Sequence, residues 1–117
     1  MLSVSGKTRI FAYTQPADLR KSYDGLGALV RDQLAQDLLE GDLFVFVNRA
    51  RSRLKALYFD GTGVCILQKR LEVGCFPSLW DKPMPLKLTS AEMALLLDGH
   101  HVVGRLNLTP KSVSLSR

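Results

Sequence analysis

Apolar positions along this chain switch between extended and helical spacing, and each switch predicts an element. Arg9-Ile10-Phe11-Ala12-Tyr13 is short, aromatic and β-branched, and it stops at Thr14-Gln15-Pro16, where proline would end a ladder; it predicts a strand. From Tyr23 the apolar residues Tyr23, Leu26, Leu29, Val30 and Leu34 recur at helical spacing and predict an amphipathic helix with those five on the core side. Gly25 and Gly27 weaken that helix, so either a close approach of backbones or a later start is expected. Leu43-Phe44-Val45-Phe46-Val47 is a continuous apolar run, the pattern of a central strand covered on both faces.

Leu54–Phe59 and Thr62–Leu71 flank Asp60-Gly61, a strong hairpin signal because a two-residue turn needs positive φ at both positions. Such a turn sets Phe59 opposite Thr62, Leu57 opposite Val64, Lys55 opposite Ile66 and Arg53 opposite Gln68. Alternation then puts Leu54, Ala56, Tyr58, Cys65, Leu67 and Leu71 on one face, interrupted by Lys69. The other face grades from apolar at the turn (Leu57, Phe59, Val64, Ile66) to basic and polar at the far end (Arg53, Lys55, Gln68, Arg70).

Thr89-Ser90-Ala91-Glu92 is a capping box with Leu88 and Met93 as its hydrophobic staple; the helix it opens should stop at Gly99. The proline-punctuated stretch from Phe76 to Pro85 is expected to be irregular. These elements predict a single α+β domain over residues 1–108, an antiparallel sheet of about four strands with two packed helices, and a flexible tail over 109–117.

Composition supports one self-sufficient core. At 117 residues and 46% hydrophobic, the chain is long and apolar enough to fold without metal or disulfide staples, and disorder is excluded as a global description. No apolar run reaches the roughly 18 residues of a membrane span, and Met1–Lys7 lacks a signal peptide's apolar stretch, so a cytoplasmic protein without membrane contact is expected. Cys65 and Cys75 match neither a zinc site nor a disulfide framework and read as packing residues.

Sixteen basic against eleven acidic side chains give a net charge of +5, which favours a polyanionic partner. The densest basic stretch is Asn48-Arg49-Ala50-Arg51-Ser52-Arg53-Leu54-Lys55, with Lys69-Arg70 returning beside it on the hairpin. Guanidinium forks match phosphate oxygens, so Arg49, Arg51, Arg53, Lys55, Lys69 and Arg70 form a candidate clamp on a nucleic-acid backbone. A solvated basic turn that protects a sheet edge is the competing reading. Six engaged cations predict a log-log salt slope near −5 on duplex DNA. Arg20 and Lys21 add charge nearby, although Asp18 can cap locally and pair with Arg20.

Phe44, Phe46 and Phe59 offer a base-stacking platform, with core packing as the stronger alternative; Phe76 and Trp80 offer interface anchors on the same terms. Adjacent His100 and His101 would point opposite ways and make no metal site. No phosphate-binding loop, nucleophile elbow or metalloprotease helix is present, and the carboxylates are scattered, so no catalytic residue, metal or cofactor is expected and enzymatic activity is disfavoured.

The segments Asp18–Leu26, Leu43–Arg49, Leu54–Gly63 and Gln68–Glu72 occur in the order and spacing of one family. The chain resembles, from about Ile10 to Gly99, the TnpB accessory proteins of the insertion-sequence family numbered sixty-six, which are distinct from the RNA-guided nucleases of the same name. The resemblance implies a bacterial mobile-element protein needed for transposition, with cutting and joining done by an element-encoded transposase. It adds weight to the basic cluster, because Asn48-Arg49, Lys55 and Lys69-Arg70 lie inside the shared segments. Three readings follow: a non-catalytic accessory that grips duplex DNA at element ends, an adaptor that docks on the transposase through Phe76 and Trp80, and a single-strand binder built on Phe44, Phe46 and Phe59.

Overall fold

β1 (Ile10–Ala12) and β2 (Leu43–Val47) run parallel, Ile10 beside Leu43 and Ala12 beside Val45, and α1 (Tyr23–Asp32) lies in the chain between them. Parallel neighbours need such a crossover, so the strand, helix, strand order already contained this pair. The wholly antiparallel sheet expected from the hairpin is therefore corrected to a mixed one. The computed structural model describes residues 8–99; the expectations for Met1–Lys7, for His100 and His101, for the domain limit at 108 and for the tail lie outside them.

The sheet has five strands in the order β4-β3-β2-β1-β5, with β3 (Arg53–Phe59), β4 (Val64–Arg70) and β5 (Leu86–Leu88) all pairing antiparallel. The class is α+β, one domain with two helices on the sheet. β5 is the strand the sequence reading missed: three residues directly after the proline-rich stretch are too few for a visible alternation, and their pairing comes from β1, with Ile10 opposite Leu88.

All five residues of β2 are buried, as a central strand requires. One face of the sheet carries Ile10, Ala12, Leu43, Val45, Leu54 and Ala56, covered by α2 (Ser90–Asp98) through Met93 and Leu96 and by Phe76 and Leu79. The other carries Phe11, Phe44, Phe46 and Leu57, covered by α1 through Leu26 and Val30, with Leu34 following the helix. Phe11 and Phe44 stack at 5.8 Å between centroids. Tyr23, placed on the core side by its spacing, is instead 51% exposed, because it opens the helix beyond the sheet's cover. Gly25 answers the question its position raised. The helix does start at Tyr23, and a Cβ at Gly25 would stand 2.9 Å from Cβ of Lys21, so the space there is limited by a side chain and not by the expected close approach of backbones.

The hairpin differs from its predicted register by two residues. Phe59 faces Val64, Leu57 faces Ile66, Lys55 faces Gln68 and Arg53 faces Arg70, leaving Asp60-Gly61-Thr62-Gly63 as a four-residue loop. Asp60 Oδ1 accepts from the amides of Thr62 (3.0 Å) and Gly63 (2.9 Å), and the Asp60 amide donates to the Gly63 carbonyl. This side-chain-stabilised turn displaces the two-residue form. An even shift leaves every side chain on its predicted face, since strand side chains alternate with period two.

The capping box of α2 forms as expected: the Glu92 amide donates to Thr89 Oγ1 at 3.1 Å and the Thr89 amide to Glu92 Oε1 at 2.8 Å, and the helix ends before Gly99 at φ +76°.

Candidate nucleic-acid interface

The connection from β2 to β3 is a rigid turn organised by Asn48. Its Oδ1 accepts from the amides of Ser52 (2.9 Å) and Arg53 (3.0 Å), and its own amide donates to the Arg53 carbonyl. Asparagine suits this work because its short amide mimics a backbone turn. Arg51 sits in the left-handed region at φ 56°. Opposite this turn, the segment after β1 continues beside β2: the Ala17 amide donates to the Val47 carbonyl at 2.9 Å and carries Asp18, Leu19 and Arg20 toward residues 48–50.

Between the two connections lies an open cavity of about 400 Å³, lined by Ala17, Asp18, Leu19, Arg20, Asn48, Arg49, Ala50, Arg53, Lys55 and Gln68. Its position follows from the grading of the hairpin face. α1 covers the apolar end with Leu57, Val64 and Ile66, whereas Arg53, Lys55 and Gln68 belong to the end beyond that cover.

The ion pairs separate the basic residues sharply. Among the described residues there are seven arginines. Arg9 pairs with Asp42, Arg20 with Asp18, Arg31 with Asp32 and Arg70 with Glu72, while Arg51 Nη1 donates to the Phe76 carbonyl at 3.2 Å. Only the side chains of Arg49 and Arg53 have no hydrogen-bond or carboxylate partner among the described residues, and both line this cavity. Arg53 also stands directly across the ladder from Arg70, a like-charge pairing that costs stability. Lys55 Nζ donates to the Lys21 carbonyl at 3.0 Å, leaving two of its three donors for a ligand.

The six-residue clamp expected from the sequence divides between the two faces of the sheet. Arg49, Arg53 and Lys55 gather in the cavity; Arg51 and Lys69 do not. Arg51 is held to Phe76 in both directions, since the Phe76 amide also donates to the Arg51 carbonyl at 2.7 Å. Lys69 Nζ donates to the Leu97 carbonyl at 2.6 Å on the α2 face. Arg70 shares the face of Arg53, beside Glu72. Arg20 contributes to the rim but is bound to Asp18 through two side-chain hydrogen bonds, at 2.9 and 2.8 Å. Those bonds hold the Asp18 carboxyl well below the usual carboxylate range. The side chain of Lys21 is exposed outside the cavity lining.

The aromatic candidates are corrected by burial. Phe44 and Phe46 have no exposed surface and Phe59 is half-buried, so these rings form no base-stacking platform. Phe76 is fully enclosed and is no surface anchor; Trp80 is half-buried against the same core. A second cavity, about 540 Å³ beside α1, has Arg31 as its single cation, already paired with Asp32, and adds Asp24 and Asp37, so its charge does not suit an anion. Among the described residues no three metal-ligating side chains cluster, and no helix is long and apolar enough to cross a membrane.

Sequence reasoning missed Ala17, Leu19 and Ala50 as part of the site. They carry no motif, and only the long-range bond from Ala17 to Val47 brings their segment to the turn. Gln68 was placed on the right face by alternation, without any sign that it borders a cavity.

Fold and site together define a small α+β domain with one cationic cavity at the open end of its sheet. The chain belongs to the family described as IS66 Orf2-like protein, whose model matches residues 8–105. All four segments that carry the resemblance lie within that span. Two curated relatives from Sinorhizobium fredii, the uncharacterized proteins y4jC and y4hO, are 38% and 32% identical over 99 residues, covering 85% of this chain and 85% and 86% of their own lengths. No solved structure matches. Membership associates the chain with an insertion sequence, a mobile element, in an accessory role in its transposition.

Proposed function

We propose that the chain is a non-catalytic transposition accessory that grips the phosphate backbone of element DNA in the cavity between residues 17–20 and 48–50, assisting a separate transposase. The observation that carries this reading is the pair of unpartnered guanidiniums, Arg49 and Arg53, converging on one cavity while the other described arginines are satisfied within the protein. An uncompensated pair of cations is what an anionic ligand would complete.

Titration of fluorescent DNA of element-end and random sequence at several salt concentrations tests it. Three engaged cations, Arg49, Arg53 and Lys55, give a log-log slope of about −2.7 on duplex and about −2 on single strands, shallower than the slope for six. Replacing Arg49 and Arg53 together by alanine should lower the slope magnitude by about 2. A flat salt response, or binding unchanged in the double variant, discards the reading.

The adaptor reading retains one supporting observation, the partly exposed ring of Trp80 on the loop before β5. A complex with transposase that survives high salt and is lost in Trp80→Ala would favour docking over DNA contact.

A further inference from the structure

We infer that the cavity holds one unpaired DNA nucleotide rather than a stretch of duplex backbone. The inference rests on the DNA-binding reading above and narrows it to a substrate class.

Three features distinguish a nucleotide from a bare phosphate chain. The first is shape. At about 400 Å³ the space lies near the lower end of the roughly 300–1,000 Å³ of small-ligand pockets, room for a single nucleotide and far too little for a double helix. A duplex lying across the open mouth would meet the exposed Arg49 and Arg53 but leave the rest of the lining unused.

The second is the division of the lining. Arg49, Arg53 and Lys55 supply positive charge, whereas Leu19 and Ala50 supply apolar surface beside them. A phosphate uses only the charged part. A base unstacked from its neighbours presents an apolar face that the rest can receive, as in proteins that take an extruded base against apolar side chains. The third is Gln68, whose amide is exposed at the cavity and makes no hydrogen bond among the described residues. It offers a donor and an acceptor suited to a base edge that pairing would otherwise occupy. Asn48, the other amide in the lining, is committed to its turn.

The test compares fluorescence anisotropy of a blunt duplex, the same duplex with a four-nucleotide overhang, the single strand alone and a ribo-oligonucleotide of the same sequence, at one salt concentration. Overhang and single strand should bind at least tenfold more tightly than blunt duplex. Leu19→Ala and Gln68→Ala should each shrink that preference severalfold; thermal melting verifies that both fold, and Gln68, being exposed, carries the test if Leu19→Ala does not. Equal affinity for blunt and overhanging DNA overturns the inference and leaves the backbone-gripping function standing. A preference retained in Gln68→Ala and in a folded Leu19→Ala overturns it as well. Tighter binding of the ribo-oligonucleotide overturns the assignment to DNA, and absence of binding to every probe removes both this inference and the function beneath it.

Discussion

Lys69 Nζ donates to the carbonyl oxygen of Leu97 at 2.6 Å, joining the edge strand β4 to the last turn of α2. The ammonium meets a carbonyl with no partner further along the helix and lies at the negative end of the helix dipole. In sequence, Lys69 only interrupts an apolar face. In the fold it closes the end of a helix on the α2 face, away from Arg49, Arg53 and Lys55. Lys69→Met should cost about 1.5–3 kcal/mol of stability, the range of hydrogen bonds to charged groups, and leave the DNA salt slope unchanged. Urea midpoints and anisotropy titrations read the two effects separately; a shallower slope in the variant would return Lys69 to the interface.

Asp18 places a negative charge on the rim of the cationic cavity and holds Arg20 through a bidentate pair. Its carboxyl, held far down by the Arg20 guanidinium, stays ionised across the working pH range. Asp18→Asn removes that charge and frees Arg20. Exposed pairs of this kind are weak, so DNA affinity should rise only modestly, by up to about fivefold. Affinity that stays constant or falls would mean that bound phosphates do not pass this rim.

The Asp60 carboxyl is held down to about 2, first by the amides of Thr62 and Gly63. Its folded value is below the ordinary value near 3.9, so its contribution to stability is complete above about pH 4 and is lost as pH falls toward 2. Asp60→Ser keeps an acceptor and removes the titration. Thermal melts of the variant between pH 4 and 2 should show a shallower loss than the parent protein, and identical acid profiles would refute the role assigned to Asp60. The remaining acid sensitivity should come partly from Asp32, whose carboxyl is lowered by Arg31.

Phe76 has no exposed surface and packs with Leu79, Met93 and Leu96 on one face of the sheet. Phe76→Ala should cost about 3–5 kcal/mol, the usual range for an enclosed ring, with Trp80→Ala costing less because part of its ring already meets solvent. Equilibrium unfolding in urea measures both. A small loss at Phe76 would show that the ring is accessible and would revive it as an anchor.

The elements of this protein were legible in its sequence wherever the deciding forces are local. The capping box at Thr89 and Glu92, the apolar stripe of Leu26 and Val30, and the continuous run of β2 each contain within a few residues the groups that satisfy the backbone or fill the core. The face of every hairpin side chain was equally fixed, because an even shift of register preserves alternation. Tertiary structure decided the rest. β5 exists only through β1, and the parallel β1 and β2 pair depends on where α1 sits. The basic residues show the difference most clearly. Charge and spacing grouped Arg49, Arg51, Arg53, Lys55, Lys69 and Arg70, but which of them stay free depends on carbonyls and carboxylates supplied from elsewhere in the fold, Phe76 for Arg51 and Leu97 for Lys69. A residue's charge is local information; whether that charge is already satisfied is a property of three-dimensional neighbours.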